Sequence, residues 1–300
     1  MRLAAIDIGS NGARLLIKNF RTAEDGSRQI SRVMYMRVPL RLGSDVFTLG
    51  KISKERAVMM KHMLKAFRQL MKLNAVDDYR ACATSAMRDA ENGKKVLKKL
   101  REESDIDIEI INGREDARLL CNNIVENIES TKGNYAYIDV GGGSTEISLL
   151  HDGVLTHSHS YNIGTLRMLG GMVSKDAINQ MKADLSRFAK EMPGMRMIGS
   201  GGNINKLFKL TNSDKDTRMV PVSEIKAVYE KLKALSVDER IEQYGLKADR
   251  ADVIIPASEI FMIVAEALNC DSIKVPNISL ADSIIDGLYR TKYATSDAAL

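Results

Sequence analysis

Little in this sequence supports a cross-linked or metal-stapled fold. Cysteine occurs three times in 300 residues, at Cys82, Cys121 and Cys270. The number is odd, the spacings are long and no Cys-x-x-Cys is present, which argues against a disulfide framework and a structural zinc site. Histidine occurs four times, at His62, His151, His157 and His159. There is no His-Glu-x-x-His stretch, and a Ser-His-Asp triad has few histidines to draw on. His157 and His159 share one face of a strand, but a metal site there is the lesser reading. Tryptophan is absent while methionine occurs sixteen times, which points to a Met-lined core. No run of about 18 apolar residues exists to form a transmembrane helix. The N-terminus has Arg2 and then a short apolar run broken by Asp7, which is not a signal-peptide pattern. A cytoplasmic protein is expected.

What is present is a balanced composition. Apolar residues make up 44% and charged residues 28%, with 44 Lys and Arg against 39 Asp and Glu. That suits a soluble chain with a sizeable core, in one large domain or two ordinary ones. The net charge of +5 permits an anionic ligand. It falls short of the dense basic stripe of a nucleic-acid binder, and neither a nucleic-acid polymer nor a membrane is expected as a partner.

A pattern of strand, Asp-x-Gly turn, strand and hairpin occurs twice. Leu3 to Ile8 is apolar and runs into Asp7-Ile8-Gly9-Ser10-Asn11-Gly12; Ala13 to Phe20 follows, then a hairpin signal at Asp25-Gly26 and Gln29 to Val38. Tyr135 to Val140 runs into Asp139-Val140-Gly141-Gly142-Gly143-Ser144; Ile147 to Leu150, Asp152-Gly153 and Val154 to Tyr161 follow. The copies lie 132 residues apart, and each is expected to be one domain. The boundary is set by the repeat, with residues 1–125 forming the first domain and 126–300 the second. The last helix, 280–300, is able to pack back on the first.

Between the copies, Leu42 to Lys51 reads as loop. Ser53 is placed to cap a long helix with apolar positions Val58, Met59, Met63, Leu64, Phe67, Leu70 and Met71. A strand at Tyr79 to Ala83 leads into Thr84-Ser85. Helices are expected at Lys94 to Glu103 and Arg114 to Val125, with a strand at Ile106 to Ile111. After the second copy, helices are expected at Ser174 to Lys190, Asn203 to Leu210, Ser223 to Leu235, Ala248 to Asn269 and Leu280 to Tyr293. Strands are expected at Met195 to Ile198 and Ser272 to Val275.

Three glycine-bearing turns follow apolar strands: Gly9 to Gly12, Gly141 to Ser144 and Gly199 to Gly202. Such turns let successive N–H groups converge on an anion, phosphate above all. A lone turn of this kind is more often a tight hairpin, but two duplicated copies and a third turn shift the balance to phosphate. Asp7 and Asp139 end equivalent strands and could hold Mg²⁺ through oxygen ligands or waters. Glu146 returns beside Asp139 across the hairpin. Two carboxylates beside an anion site repel phosphate unless a metal or a proton intervenes, so Asp139 and Glu146 read as metal-linked.

The duplicated pattern resembles the actin/sugar-kinase/Hsp70 superfamily, and within it the exopolyphosphatase/guanosine-pentaphosphate phosphohydrolase (Ppx/GppA) family. The markers in chain order are Asp7 to Leu15, Ala83 to Ala90, Ile111 to Leu119, Ile138 to Glu146 and Gly199 to Gly202. The resemblance implies an α/β fold of two ribonuclease-H-like domains with an interdomain active-site cleft. It implies stepwise hydrolysis of a terminal phosphate, from inorganic polyphosphate or guanosine pentaphosphate, with Mg²⁺ as the metal. Ser10, Asn11 and Arg14, then Thr84, Ser85 and Arg88, would contact phosphate. Gly141, Gly142, Gly143 and Ser144 would cradle another phosphate, with Gly201 and Gly202 in the third turn. Asp139 and Glu146 would act on metal or water, and Asp7 would join them at the metal. Such cores often pair, so a homodimer is compatible with the sequence.

The family's general base is a Glu at the second of two acidic positions, where this chain has Asp116 after Glu115. Adjacent helical residues point about 100° apart, so one of the two can serve. Further departures are Gly12 in place of a common Ser, Asn203 in place of a common Thr, and a less polar Ser279 to Gly287 segment lacking the usual Arg. Arg114, Arg118 and Arg167 could guide a polyanion. Two other readings stand beside hydrolysis. One is an ATP-dependent kinase of the wider superfamily. The other is an alarmone-binding protein, non-catalytic or weakly catalytic, that takes guanosine penta- or tetraphosphate.

Overall fold

The structure, a computed structural model, describes residues 1–23, 27–113, 115, 116, 118–120, 130 and 132–293. The Asp25-Gly26 hairpin signal, Arg114, Cys121 and the expected helix beyond Leu120 lie outside the described residues. The chain divides into two compact units, Met1–Asn123 with Leu280–Leu300, and Ile124–Ser279.

The first unit is built on a five-stranded sheet of order β3-β2-β1-β4-β5. Strands β1 (Arg2–Ile8), β2 (Ala13–Thr22) and β3 (Arg28–Val38) form an antiparallel meander. Strands β4 (Asp78–Ala83) and β5 (Glu109–Ile110) add in parallel beside β1. Leu3, Ala4, Ala5 and Ile6 are fully buried, as a central strand covered on both faces requires.

Helix α1 (Leu42–Leu49) replaces the expected loop. Leu42, Val46 and Phe47 are buried on one face, and left-handed residues at Arg41 and Gly50 delimit the helix. Helix α2 (Lys54–Leu73) is capped by the Ser53 hydroxyl, which accepts from the Arg56 N–H at 3.2 Å. Its buried stripe begins at Met60, so Val58 is exposed rather than core. Helices α3 (Ser85–Asp89) and α4 (Gly93–Ser104) follow β4, and the strand expected from Ile106 shortens to β5.

The second unit carries a six-stranded sheet of order β10-β11-β9-β6-β7-β8. Strands β6 (Asn134–Val140), β7 (Thr145–His151) and β8 (Val154–Tyr161) repeat the meander. The Asp152-Gly153 turn has both residues at positive φ, as a tight hairpin between twisted strands demands. Helices α5 (Thr165–Leu169) and α6 (Lys175–Glu191) lead to β9 (Arg196–Ser200). Helix α7 (Gly202–Leu210), β10 (Met219–Pro221), α8 (Val222–Lys233) and α9 (Val237–Tyr244) come next. The helix expected over Ala248 to Asn269 breaks at Asp252–Val253 into α10 (Ala248–Ala251) and α11 (Ile254–Ala267), before β11 (Ser272–Lys274). Met181, Leu185 and Phe261 pack with Ala136, Ile138, Ile147 and Leu149 in one core cluster.

The two sheets share one topology: β3-β2-β1-β4-β5 matches β8-β7-β6-β9-β11, with β10 an added edge. The match extends to single residues. Asp7 is the register partner of Arg14, and Asp139 of Glu146. Gly9 N–H donates to Gly12 O at 3.1 Å, as Gly141 N–H does to Ser144 O at 2.9 Å.

Helix α12 (Leu280–Lys292) belongs to the first unit although it follows the second in sequence. Tyr289 stacks on Phe20 of β2 with ring centroids 4.5 Å apart. Lys18 of β2 reaches Asp286 at 3.0 Å and Asp282 at 3.1 Å.

Candidate active site

In the first unit the strand ends bring the first two phosphate markers together. The Ser10 and Ser85 hydroxyls lie 2.8 Å apart, and the Ala86 N–H donates to the Ser10 hydroxyl at 3.2 Å. Thr84 N–H closes on Ile8 O at 3.1 Å, which fixes Thr84 beside the same turn. Arg88 donates to Ile111 O at 3.1 Å and so ties α3 to the segment that carries Glu115 and Asp116. Asn11 O accepts from the Arg41 N–H at 3.1 Å.

Gly12 is explained by its surroundings. A Cβ there would stand 2.8 Å from Val38 O and 3.1 Å from an Arg37 guanidinium nitrogen. Arg37 fills the space that a side chain at position 12 would take, and sequence reading alone did not single it out.

Asp7 is buried and ion-paired with Arg14, its register partner. That pairing makes Asp7 the weakest of the three expected metal ligands. Cys82, the partner of Asp7 on β4, is buried. Burial pushes its thiol far above the ordinary range, so it stays protonated and unreactive.

Glu115 and Asp116 are adjacent in sequence but differ in setting. The Glu115 carboxylate accepts from Arg118 Nε at 2.8 Å and Nη2 at 2.9 Å, and from Arg80 Nη2 at 3.4 Å. The Arg118 hydrogen bonds, set against partial burial and aided by Arg80, hold the Glu115 carboxyl below the usual range. Asp116 is 5% exposed, one helix position further round, with its N–H donating to Asn112 O at 3.0 Å. Arg118 is thus the partner of Glu115 rather than a separate guide for a polyanion.

In the second unit the glycine loop is held from behind. Thr165 N–H donates to Gly141 O at 3.0 Å, Leu166 and Arg167 N–H to Gly142 O at 2.8 and 3.3 Å, and Arg167 Nε to Gly143 O at 2.6 Å. Ser144 O takes the Gly141 N–H. Every carbonyl of the loop is therefore engaged. The N–H groups of Gly142, Gly143 and Ser144 have no protein acceptor among the described residues. All three residues are buried. A buried N–H without a partner is rare and costs about 1–3 kcal/mol, so three in succession make the loop a candidate anion cradle.

Gly164 makes this possible. A Cβ at residue 164 would overlap the backbone of Gly142, Gly143 and Ser144. Sequence reading missed Gly164; the one available signal was a glycine just before a short helix.

Asp139 and Glu146 stand beside the cradle as cross-strand partners on one face of the sheet. Glu146 Oε1 accepts from the Ser144 hydroxyl at 2.6 Å and the Ser160 hydroxyl at 3.0 Å. Ser200, the register partner of Asp139 on β9, extends the row, so that Ser200, Asp139, Glu146 and Ser160 cross four strands. The third glycine turn closes on the same row. Gly201 has φ of 96°, and a Cβ there would lie 2.7 Å from Asp139 Oδ1. At Gly202 a Cβ would overlap the Arg250 guanidinium, which donates to Asn203 Oδ1 at 2.6 Å. Asn203 thus anchors a cation at the turn.

The donor set fits Mg²⁺ in one form. Among the described residues no three of His, Cys, Asp and Glu gather as a metal cage. The Asp139 and Glu146 carboxylates, side by side, are the oxygen pair that suits an ion keeping several waters and substrate oxygens.

A model of the Ppx/GppA phosphatase family matches residues 22–291. Exopolyphosphatase 1 of Mycobacterium tuberculosis is 23% identical over 304 residues, covering 95% of this chain and 87% of that one. The guanosine-5'-triphosphate,3'-diphosphate pyrophosphatase of Aeromonas salmonicida is 26% identical, covering 95% of this chain and 59% of that one. The crystal structure of an exopolyphosphatase from Cytophaga hutchinsonii superposes with a TM-score of 0.85 at 21% identity, over 97% of this chain and 98% of that one. The α/β fold of two related sheets is the fold of that structure. With the family model spanning most of its length, the chain belongs to the Ppx/GppA phosphatase family.

Proposed function

We propose that the chain hydrolyses a terminal phosphoanhydride bond, releasing orthophosphate from inorganic polyphosphate or from the 5' end of guanosine pentaphosphate. The observation that carries this reading is the Gly141–Ser144 loop, whose carbonyls are all hydrogen-bonded while the N–H groups of Gly142, Gly143 and Ser144 have no protein acceptor among the described residues. A phosphoryl group needs little more than positioned donors, an activated water and charge neutralisation. The loop N–H groups orient the phosphoryl oxygens. Within the first unit Ser10, Ser85, Thr84 and Arg88 are a second set of phosphate donors, and Arg14 is paired with Asp7.

Asp116 is the proposed base. Its neighbour Glu115 is held ionised by Arg118 and Arg80 and so is a poor proton acceptor. Asp139 and Glu146 would hold Mg²⁺, which when bound would neutralise charge developing on the phosphoryl oxygens. The seryl hydroxyls of Ser144 and Ser160 keep Glu146 in position. No helix of the described residues is long and apolar enough to cross a membrane. A cytoplasmic site of action is part of the proposal.

The test offers the purified protein and Mg²⁺ polyphosphate, guanosine pentaphosphate and ATP in parallel, with phosphate release measured. Release from either of the first two and not from ATP supports the reading. Release from none, with tight alarmone binding, replaces it with a sensor. Transfer to a small acceptor replaces it with a kinase.

A further inference from the structure

The modest net charge hides a concentrated patch. Helix α2 holds six Lys and Arg against Glu55, and α4 holds five against Glu102 and Glu103. The two helices carry an excess of eight, while the whole chain carries +5. Some of this is neutralised locally, by Lys61 with Glu103, Arg68 with Asp105, Arg101 with Asp107 and Arg56 with Asp45. Lys94, Lys95, Lys98 and Lys99 are all exposed, and among the described residues none of them forms an ion pair.

The arrangement of these four lysines is unfavourable for α4 itself. Lys94 and Lys98, and Lys95 and Lys99, are like-charged neighbours one helical turn apart. Lys94 and Lys95 lie in the first turn, where the macrodipole disfavours cations, and that turn has no acidic residue to offset them. A local conflict of this kind, without a structural gain, marks a surface kept for a ligand. Between α4 and α2 lies a groove of about 280 Å³ floored by Ala57, Val58, Val96 and Leu100. Lys54 and Lys99 line it, so their stems can cover the floor while their ammonium groups stay in water.

The patch starts beside the candidate site. A Cβ at Gly93 would overlap Met87 O, so the start of α4 is fitted against α3. Helix α3 carries Ser85 and Arg88, two of the proposed phosphate contacts. A chain of phosphates ending there meets Lys94 and Lys95 next, then Lys98 and Lys99 about 6 Å further along α4.

We propose that the α4 lysine face, Lys94, Lys95, Lys98 and Lys99 with Lys54 across the groove, is an exosite for the distal part of a long inorganic polyphosphate. The inference rests on the polyphosphate reading of the site above. The chemistry favours polyphosphate over nucleic acid. The ligand-facing charges are lysines, compact point charges suited to a run of identical phosphates. Neither helix carries an exposed Phe, Tyr or Trp to stack a base, since Phe67 is buried and His62 is the one other ring on them.

The test compares the full chain with a variant carrying Lys94→Gln, Lys95→Gln, Lys98→Gln and Lys99→Gln. KM and kcat are measured on polyphosphate several hundred units long and on tripolyphosphate. Equilibrium binding of the long polymer is measured in EDTA, with transfer RNA as a second probe. The expected result is at least a tenfold rise in KM for the long polymer, unchanged constants for tripolyphosphate, and at least tenfold weaker polymer binding. The variant is expected to unfold at or above the wild-type temperature, because two like-charge pairs are gone. Equal shifts for both substrates, or none for the long one, overturn the exosite. So does wild-type binding of transfer RNA as tight as that of polyphosphate. If the wild type releases phosphate from neither substrate, the hydrolase reading fails, and the binding measurement alone decides the exosite.

Discussion

Asp139 and Glu146 are seven residues apart in sequence and directly opposite one another on adjacent antiparallel strands. The same spacing in the first unit sets Asp7 opposite Arg14. The duplication has kept the geometry and changed the chemistry, so that one copy pairs an acid with a base and the other pairs two acids. The acid pair is the one suited to a cation. Asp139→Asn and Glu146→Gln are each expected to lower phosphate release by about 10²-fold or more and to raise the Mg²⁺ concentration needed for half-maximal rate. Unchanged metal dependence in both variants would remove the pair from metal binding.

Gly164 packs directly against the backbone of the Gly141–Ser144 loop. Gly164→Ala is expected to displace residues 142–144, because its Cβ has no room against their backbone. Overpacking of this sort costs about 1–3 kcal/mol of stability, read by urea denaturation. Phosphate release is expected to fall further than that stability loss explains. A variant with wild-type rate and stability would show that the loop is not held from Gly164.

How much of this was legible in the chain differs by element. The repeat was, because Asp7-x-Gly and Asp139-x-Gly turns sit between apolar runs of similar length, and the register bears the pattern out residue by residue. The Ser53 cap and the helix after it were legible from one hydroxyl and a 3.6-residue period. Helix α1 was not, since Gly43 and Gly50 read as loop residues; one is buried in the helix and the other caps it. The supports of the site were hidden for a different reason. Gly164, Arg37 and Arg250 act on turns far away in sequence, and only folding brings them there. The concentration of charge on α2 and α4 was present in the sequence but masked by acidic residues elsewhere.

Helix α12 is held to the first unit by Tyr289, which stacks on Phe20, and by Asp282 and Asp286, which pair with Lys18 of β2. Tyr289→Ala removes the stack on Phe20 and a side chain that is 5% exposed. The expected cost is about 3–5 kcal/mol by denaturant titration, in the range for buried aromatic truncation. A loss below about 1 kcal/mol would mean that α12 docks by other contacts.

Glu115 links stability to pH. Its folded-state carboxyl is held low, chiefly by the Arg118 hydrogen bonds. The stabilisation is therefore present above the unfolded-state pKa and is lost as pH falls through the folded-state one. Glu115→Gln is expected to cost at most about 1 kcal/mol near neutrality, because the pair is partly exposed, and to narrow its deficit as the solution is acidified. A deficit that grows with acid would reverse the sign and contradict the pairing.

The central claim is that the buried Asp116, and not its arginine-bound neighbour, accepts the proton of the attacking water. The most direct measurement is phosphate release from polyphosphate and guanosine pentaphosphate by Asp116→Asn and Glu115→Gln side by side. The expected result is a loss of about 10²–10⁴-fold in kcat for Asp116→Asn and less than about tenfold for Glu115→Gln. A near-normal rate in Asp116→Asn, or a collapse confined to Glu115→Gln, would contradict the account.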